Sequence, residues 1–146
     1  MSKQNHLNNI DIGQLIPHSK EMVLLDQVID YDEHQIIVTT QSHLNKNNPL
    51  RFNDQLSATC GVEYAAQSMA LHSSLINQHS SNEIPKGYLA AVRKLQLTVQ
   101  RLDQIEGKLE IKSEKIAIDT KMLIYTFQLS AKQALLVEGQ ISIYLY

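Results

Sequence analysis

Between Asp54 and Ile84 the chain has no proline. The same stretch gathers Ala58, Ala65, Ala66 and Ala70 with Met69 and Leu71, all good helix formers. It predicts one long helix over Asp54–Ile76, with Asn53 or Asp54 accepting from its first free amides as an N-cap. The flanking segments read as strand. Met22–Asp30 and His34–Ser42 make a hairpin across a turn at Tyr31–Glu33, and a polar loop over 45–53 follows. Beyond the helix and a polar stretch, Asn77–Glu83, the run Tyr88–Gln100 alternates in its second half. Leu95, Leu97 and Val99 point one way there, and Lys94, Gln96 and Thr98 the other. Leu109 and Ile111 face inward from the next segment, and Met122–Ser130 and Leu135–Tyr146 complete the series. Two strands, one helix and four strands imply an α+β domain in which a mostly antiparallel sheet covers a single long helix. Short side chains on the helix let a curved sheet approach closely, which is sufficient reason for Gly61 and most of the alanines.

One carboxylate interrupts that helix. In Cys60-Gly-Val-Glu-Tyr-Ala-Ala-Gln-Ser-Met-Ala70, Glu63 stands mid-helix among small and apolar neighbours. A carboxylate withdrawn from water keeps its proton to higher pH, a poise suited to general acid or base work. The competing reading is a wetted stripe or a structural tie to a core partner.

At 146 residues the chain suits one domain, 1–146. A net charge of −2 exerts no bulk pull on nucleic acid or anionic membrane, so any charged partner must meet a local patch. Cys60 is the only cysteine, which excludes an internal disulfide and a thiolate cluster, and the six histidines show no metal-ligand spacing. Its apolar neighbours make Cys60 an inert thiol. The polar start, Met1–Asn9, and the lack of a long apolar run predict a cytoplasmic protein with no membrane segment.

With the elements in this order, four pieces carry a resemblance: Leu15-Ile-Pro-His-Ser-Lys-Glu-Met-Val-Leu-Leu-Asp26, Gly61-Val-Glu-Tyr-Ala-Ala-Gln67, Tyr88-Leu-Ala-Ala-Val92 and Val137-Glu-Gly-Gln-Ile-Ser-Ile143. Together they resemble the hot-dog fold and, within it, the 3-hydroxyacyl-acyl-carrier-protein dehydratases of fatty acid synthesis. The Met22–Asp26 opening and the Val62–Gln67 run look like the divergent ApeP-like subgroup found with aryl-polyene and related lipid clusters, whose members can pair with a second hot-dog dehydratase. The resemblance implies Glu63 as the catalytic acid, and His18, which follows Pro17, is the candidate base in this chain. Gly61, Gln67 and Tyr88 become substrate-binding candidates, Tyr88 as the tyrosine that gates the acyl tunnel. It implies no cofactor of the protein's own, since phosphopantetheine arrives with the acyl carrier protein. The expected partners are that carrier and a second hot-dog subunit, in a homodimer or heterodimer joined edge to edge. Arg51, Lys86, Arg93 and Lys94 are candidates for a basic rim that docks the carrier, or equally are solvated charges.

One departure from the family pattern matters. Its catalytic histidine, in a His-Phe-Pro-Gly motif about fourteen residues before the acid, would fall here on Asn48-Pro49-Leu50-Arg51. No histidine is present. In that family the two groups meet across a dimer interface, so a partner subunit supplying the base opposite Glu63 is the favoured answer. His18 is the best-placed histidine of the chain, although its counterpart in the dehydratases is usually structural. His43 and His72 are weaker, His72 being turned to about the opposite side of the helix from Glu63. Three functions remain: dehydration of carrier-bound 3-hydroxyacyl chains, a hot-dog thioesterase in which Glu63 activates water, and a catalytically silent acyl-binding subunit.

Overall fold

The computed structural model of the chain describes residues 2–77, 87–119 and 121–145. Lys86, all of the polar stretch after Asn77, and Tyr146 lie outside them. Two short helices, α1 (Lys3–Asn8) and α2 (Ile12–Leu15), occupy the amino-terminal region that the sequence marks only as polar. The hairpin of β1 (Gln27–Tyr31) and β2 (Gln35–Thr40) follows, then the long helix α3 (Gly61–Ile76). Strands β3 (Gly87–Leu97), β4 (Leu109–Ile118), β5 (Met122–Ala131) and β6 (Ala134–Leu145) end the chain. They build a six-stranded sheet in the order β1-β2-β4-β5-β6-β3, and every neighbouring pair is antiparallel. This is the predicted architecture, one long helix covered by an antiparallel sheet.

Two boundaries differ from the sequence reading. Asn53 and Asp54 do not cap the helix: with φ of 50° and 61° they form the corners of a tight turn closed by reciprocal bonds between Phe52 and Gln55. Asn and Asp tolerate that left-handed backbone, the property that also makes them look like caps. The chain then enters α3 through a 3-10 turn, Ala58–Cys60, where the Ser57 hydroxyl accepts from the Thr59 amide at 3.3 Å. The first strand begins at Gln27 rather than Met22. Asp26 N–H still reaches Thr39 C=O of β2, but Leu24 is held by side chains: its N–H donates to Gln67, and its C=O accepts from the Thr40 and Ser42 hydroxyls.

The small residues of α3 work as expected. A Cβ added at Gly61 would meet Val137 at 3.3 Å and Leu129 at 3.4 Å, so glycine sets how closely the helix start approaches the sheet. Ser68 reaches Ser113 of β4 at 2.6 Å, which satisfies two buried hydroxyls at once. Burial covers most faces of the helix. The residues that stay partly open before its last turn are Val62, Glu63, Ala66 and Ala70, and three of them fall at i, i+3 and i+7, one stripe.

The segment leading into α3 is pinned by Asp103. Its carboxylate accepts from the Leu56 amide at 2.8 Å and pairs with Arg101 at 2.5 Å. The Arg101 guanidinium beside it holds the Asp103 carboxyl down at about 2, against 3.8 for a free aspartate. A pKa lowered by folding stabilises the fold above the unfolded-state value, and that contribution is lost as pH falls through the folded one. Asp103→Asn is therefore expected to lower the melting temperature at pH 7, with the gap to wild type closing between about pH 4 and pH 2. A gap that stays constant over that range in a pH series of melting curves would refute this account.

Candidate active site

Glu63 lies in the first turn of α3, not its middle, because the helix starts only two residues earlier. Its side chain keeps 37% of its exposure, so the expected buried carboxylate is half open in the single chain. His18 comes to it from the segment between α2 and β1. Pro17 fixes φ immediately before this histidine and holds Ile16 extended, at φ −117° and ψ 150°. His18 Nε2 stands 3.1 Å from Glu63 Oε1, within hydrogen-bond reach across 45 residues of sequence. The other ring nitrogen, Nδ1, is buried and meets no hydrogen-bonding partner among the described residues. His18, the best-placed histidine of the sequence reading although its counterpart in the dehydratases is usually structural, is thus brought to the acid within one polypeptide.

The pair opens onto a mainly apolar cavity of about 150 Å³. Glu63, Ala66 and Ala70 supply its floor from the open stripe of α3, while Tyr88, Leu123 and Ile143 wall it from the sheet. Short residues at helical spacing beside an acid are the sequence signal for this floor, and they can be recognised without the fold. Tyr88 lies on β3 with its ring against Tyr144, centroids 5.4 Å apart.

The other candidates are placed elsewhere. Gly61 packs on β5 and β6, outside the cavity lining. Gln67 is fully buried, with both ends of its amide bonded to main chain: Oε1 accepts from Leu24 N–H at 2.9 Å and Nε2 donates to Met22 C=O at 2.7 Å. Arg51 is 11% exposed at its side chain, donating to His43 C=O at 3.1 Å and pairing with Asp54 at 3.4 Å. Arg93 is exposed on β3 opposite Gln140. Lys94, at φ 56° in the bulge after Arg93, borders a polar depression of about 540 Å³ on the sheet face turned from α3. None of these three cations lines the cavity of Glu63, and Lys86 is outside the described residues.

The place where the family pattern puts its histidine holds a locked amide. Asn48 Nδ2 donates to Ser42 C=O and to the Tyr64 hydroxyl, and its Oδ1 accepts from Leu50 N–H. His43 and His72 are both buried and bonded, and burial lowers the pKa of each. His72 Nε2 must donate to Asp32 C=O, which leaves Nδ1 to accept from the Tyr125 hydroxyl. Burial raises the Cys60 thiol, in keeping with an unreactive sulfur. Among the described residues no cluster of His, Cys, Asp and Glu is arranged to hold a metal, and no helix is long and apolar enough to cross a membrane.

Solved structures share this fold. The dehydratase heterocomplex ApeI:P of Xenorhabdus doucetiae superposes with a TM-score of 0.82 at 20% identity, covering 94% of this chain and 91% of the other. A thioesterase of Haemophilus influenzae gives 0.65 at 13% identity, over 96% and 90% of the two chains. A hypothetical thioesterase of Streptococcus pneumoniae with coenzyme A gives 0.56 at 11% identity, over 82% and 84%. At such identities the likeness speaks for the hot-dog fold alone. Comparison with curated proteins gives no match. The sequence profile of the ApeP-like family, described as ApeP dehydratase, matches residues 10–145. That span takes in the His18 segment, α3 and all six strands, and the chain belongs to the ApeP-like dehydratase family.

Proposed function

We propose that the protein dehydrates 3-hydroxyacyl chains carried on acyl carrier protein, in fatty acid or aryl-polyene-type lipid synthesis, with His18 and Glu63 as its acid–base pair. The observation that carries this reading is the 3.1 Å approach of the two side chains at an apolar cavity. The thioester carbonyl acidifies the C2 proton of such a chain. His18 Nε2 takes that proton, the electron pair forms the C2=C3 bond, and the C3 hydroxyl leaves as water with the proton of Glu63. The carboxylate left behind sits in the first turn of α3, whose free N–H groups complement negative charge. One proton has been gained by the histidine and one lost by the acid, so transfer across their own hydrogen bond restores the pair.

The partner is a second hot-dog subunit, another copy or a heterologous dehydratase. β3 supports this: it bonds to β6 on one side only, and it exposes Tyr88, Leu89, Leu95 and Leu97. A long apolar edge strand is a template for pairing. Because Tyr88 belongs both to that edge and to the cavity wall, a subunit added there adjoins the acyl site. Arg93 and Lys94 remain the docking candidates for the carrier, on or beside the same edge.

The test is an assay of 3-hydroxyacyl carrier protein with the full chain, alone and with a second hot-dog dehydratase, following enoyl product and free thiol together. Enoyl formation by a species of dimer mass in light scattering is the expected result. Thiol release without enoyl product would make the protein a thioesterase, and neither product under any pairing would make it a silent acyl-binding subunit.

A further inference from the structure

Two buried side chains of α3 fasten the chain on either side of His18. Ser74 Oγ donates to Leu15 C=O at 2.6 Å, three residues before the histidine. Gln67 bonds Met22 C=O and Leu24 N–H, four and six residues after it. Both are nearly or fully inaccessible, and neither lines the cavity. At about 100° per residue, Gln67 is turned about 40° and Ser74 about 20° from Glu63, so all three lie on one face of the helix. Elsewhere in the held segment Met22 N–H and Val23 N–H close local turns onto Ser19 and Lys20, and Leu24 C=O accepts from the Thr40 and Ser42 hydroxyls at its far end.

We infer that Gln67 and Ser74 are positioning residues, which clamp the Leu15–Leu24 segment onto the helix that carries Glu63 and so set the separation of His18 from the acid. Helix α3 then works as a common ruler: one residue supplies the acid, and two others fix the segment that supplies the base. This assigns Gln67 a different task from contact with the acyl chain, since both ends of its amide are already committed to main chain. Each lost bond loosens one side of the His18 segment and leaves unchanged the α3 and sheet residues that line the cavity.

The inference rests on the dehydratase reading for its kinetic arm, and a spectroscopic arm is independent of it. The full chain is assayed with its hot-dog partner present. Ser74→Ala is expected to lower kcat about tenfold to a hundredfold, as for a catalytic group displaced by a fraction of an ångström to one ångström, with KM changed by less than about twofold. Ser74→Thr keeps a hydroxyl and restores the rate. In a Glu63→Gln background, Ser74→Ala should change the residual rate by less than about twofold, because the two losses act through one pair. Gln67→Met, which keeps the length of the side chain but neither donates to Met22 nor accepts from Leu24, is expected to behave like Ser74→Ala.

NMR of the His18 ring in the full chain, at one fixed pH, reads the same contact without turnover. The ring signals should differ between wild type and Glu63→Gln, and that difference should vanish in Ser74→Ala. Wild-type kcat and unaltered His18 ring signals in Ser74→Ala would overturn the inference. So would an equal fractional loss with and without Glu63, accompanied by a lower melting temperature, which is the mark of a merely structural serine. If Glu63→Gln itself retains full activity, the dehydratase assignment of the pair fails, and the ring signals alone decide the clamp.

Discussion

Glu63→Gln is expected to cut the rate of enoyl formation by about 10²–10⁴-fold, the usual contribution of a positioned general acid. The amide keeps the volume and polarity of the carboxyl but cannot hand over a proton to the departing hydroxyl. With 37% of the side chain exposed, the substitution buries no new unpaired group. The melting temperature is therefore expected to stay within about 2–4 °C of wild type. Steady-state kinetics and a melting curve on one preparation check both halves. Undiminished turnover would remove Glu63 from the mechanism. A loss of activity matched by a large fall in melting temperature would mark the residue as structural.

His18→Asn is expected to produce a loss of similar size, about 10²–10⁴-fold, because asparagine can hydrogen-bond to Glu63 but cannot accept the C2 proton. Its dependence on the partner is the informative part. With the base in the same chain, the loss persists when a second hot-dog dehydratase is added in excess. A partner that supplied its own histidine opposite Glu63 would instead restore nearly full turnover to the variant, and wild type alone would be almost inactive. Assays of both proteins with and without that subunit distinguish the two arrangements. The 3.1 Å contact within one polypeptide favours the first.

Most of the fold is legible in the sequence because its signals are local. The final strand alternates, Ile141 facing the core beside Tyr125 of β5, and Leu109 and Ile111 are buried as their spacing suggests. What fails is what depends on distant partners. Met22–Asp26 has the apolar run of a strand, yet Met22 and Leu24 are held by Gln67, Thr40 and Ser42, side chains that no local window associates with them. Asn53 and Asp54 mimic caps, since the same side chains suit tight turns. The strict alternation read from Leu95 to Val99 does not foresee the bulge at Lys94, or that β3 forms an edge whose leucines are exposed.

The candidate site divides in the same way. Glu63 stands out locally as an acid among small residues, and the floor it shares with Ala66 and Ala70 follows from helical spacing. His18 is legible as the best-placed histidine, but its contact with Glu63 is not, because only the fold closes the 45 residues between them. The missing histidine near Asn48 draws attention to a region whose amide is wholly engaged in holding Tyr64 and its own loop.

Because the histidine and the acid belong to one polypeptide, their separation is decided when that polypeptide folds and not when subunits meet. A site divided between two chains ties the genes for both to one another, since a change in either can abolish the chemistry. Under the proposed function a companion subunit would be free to diverge, to be replaced by a paralogue or to reshape the acyl site along the β3 edge. Heredity could then vary the selectivity of such an assembly through one gene while the proposed proton-transfer pair stayed in the keeping of the other.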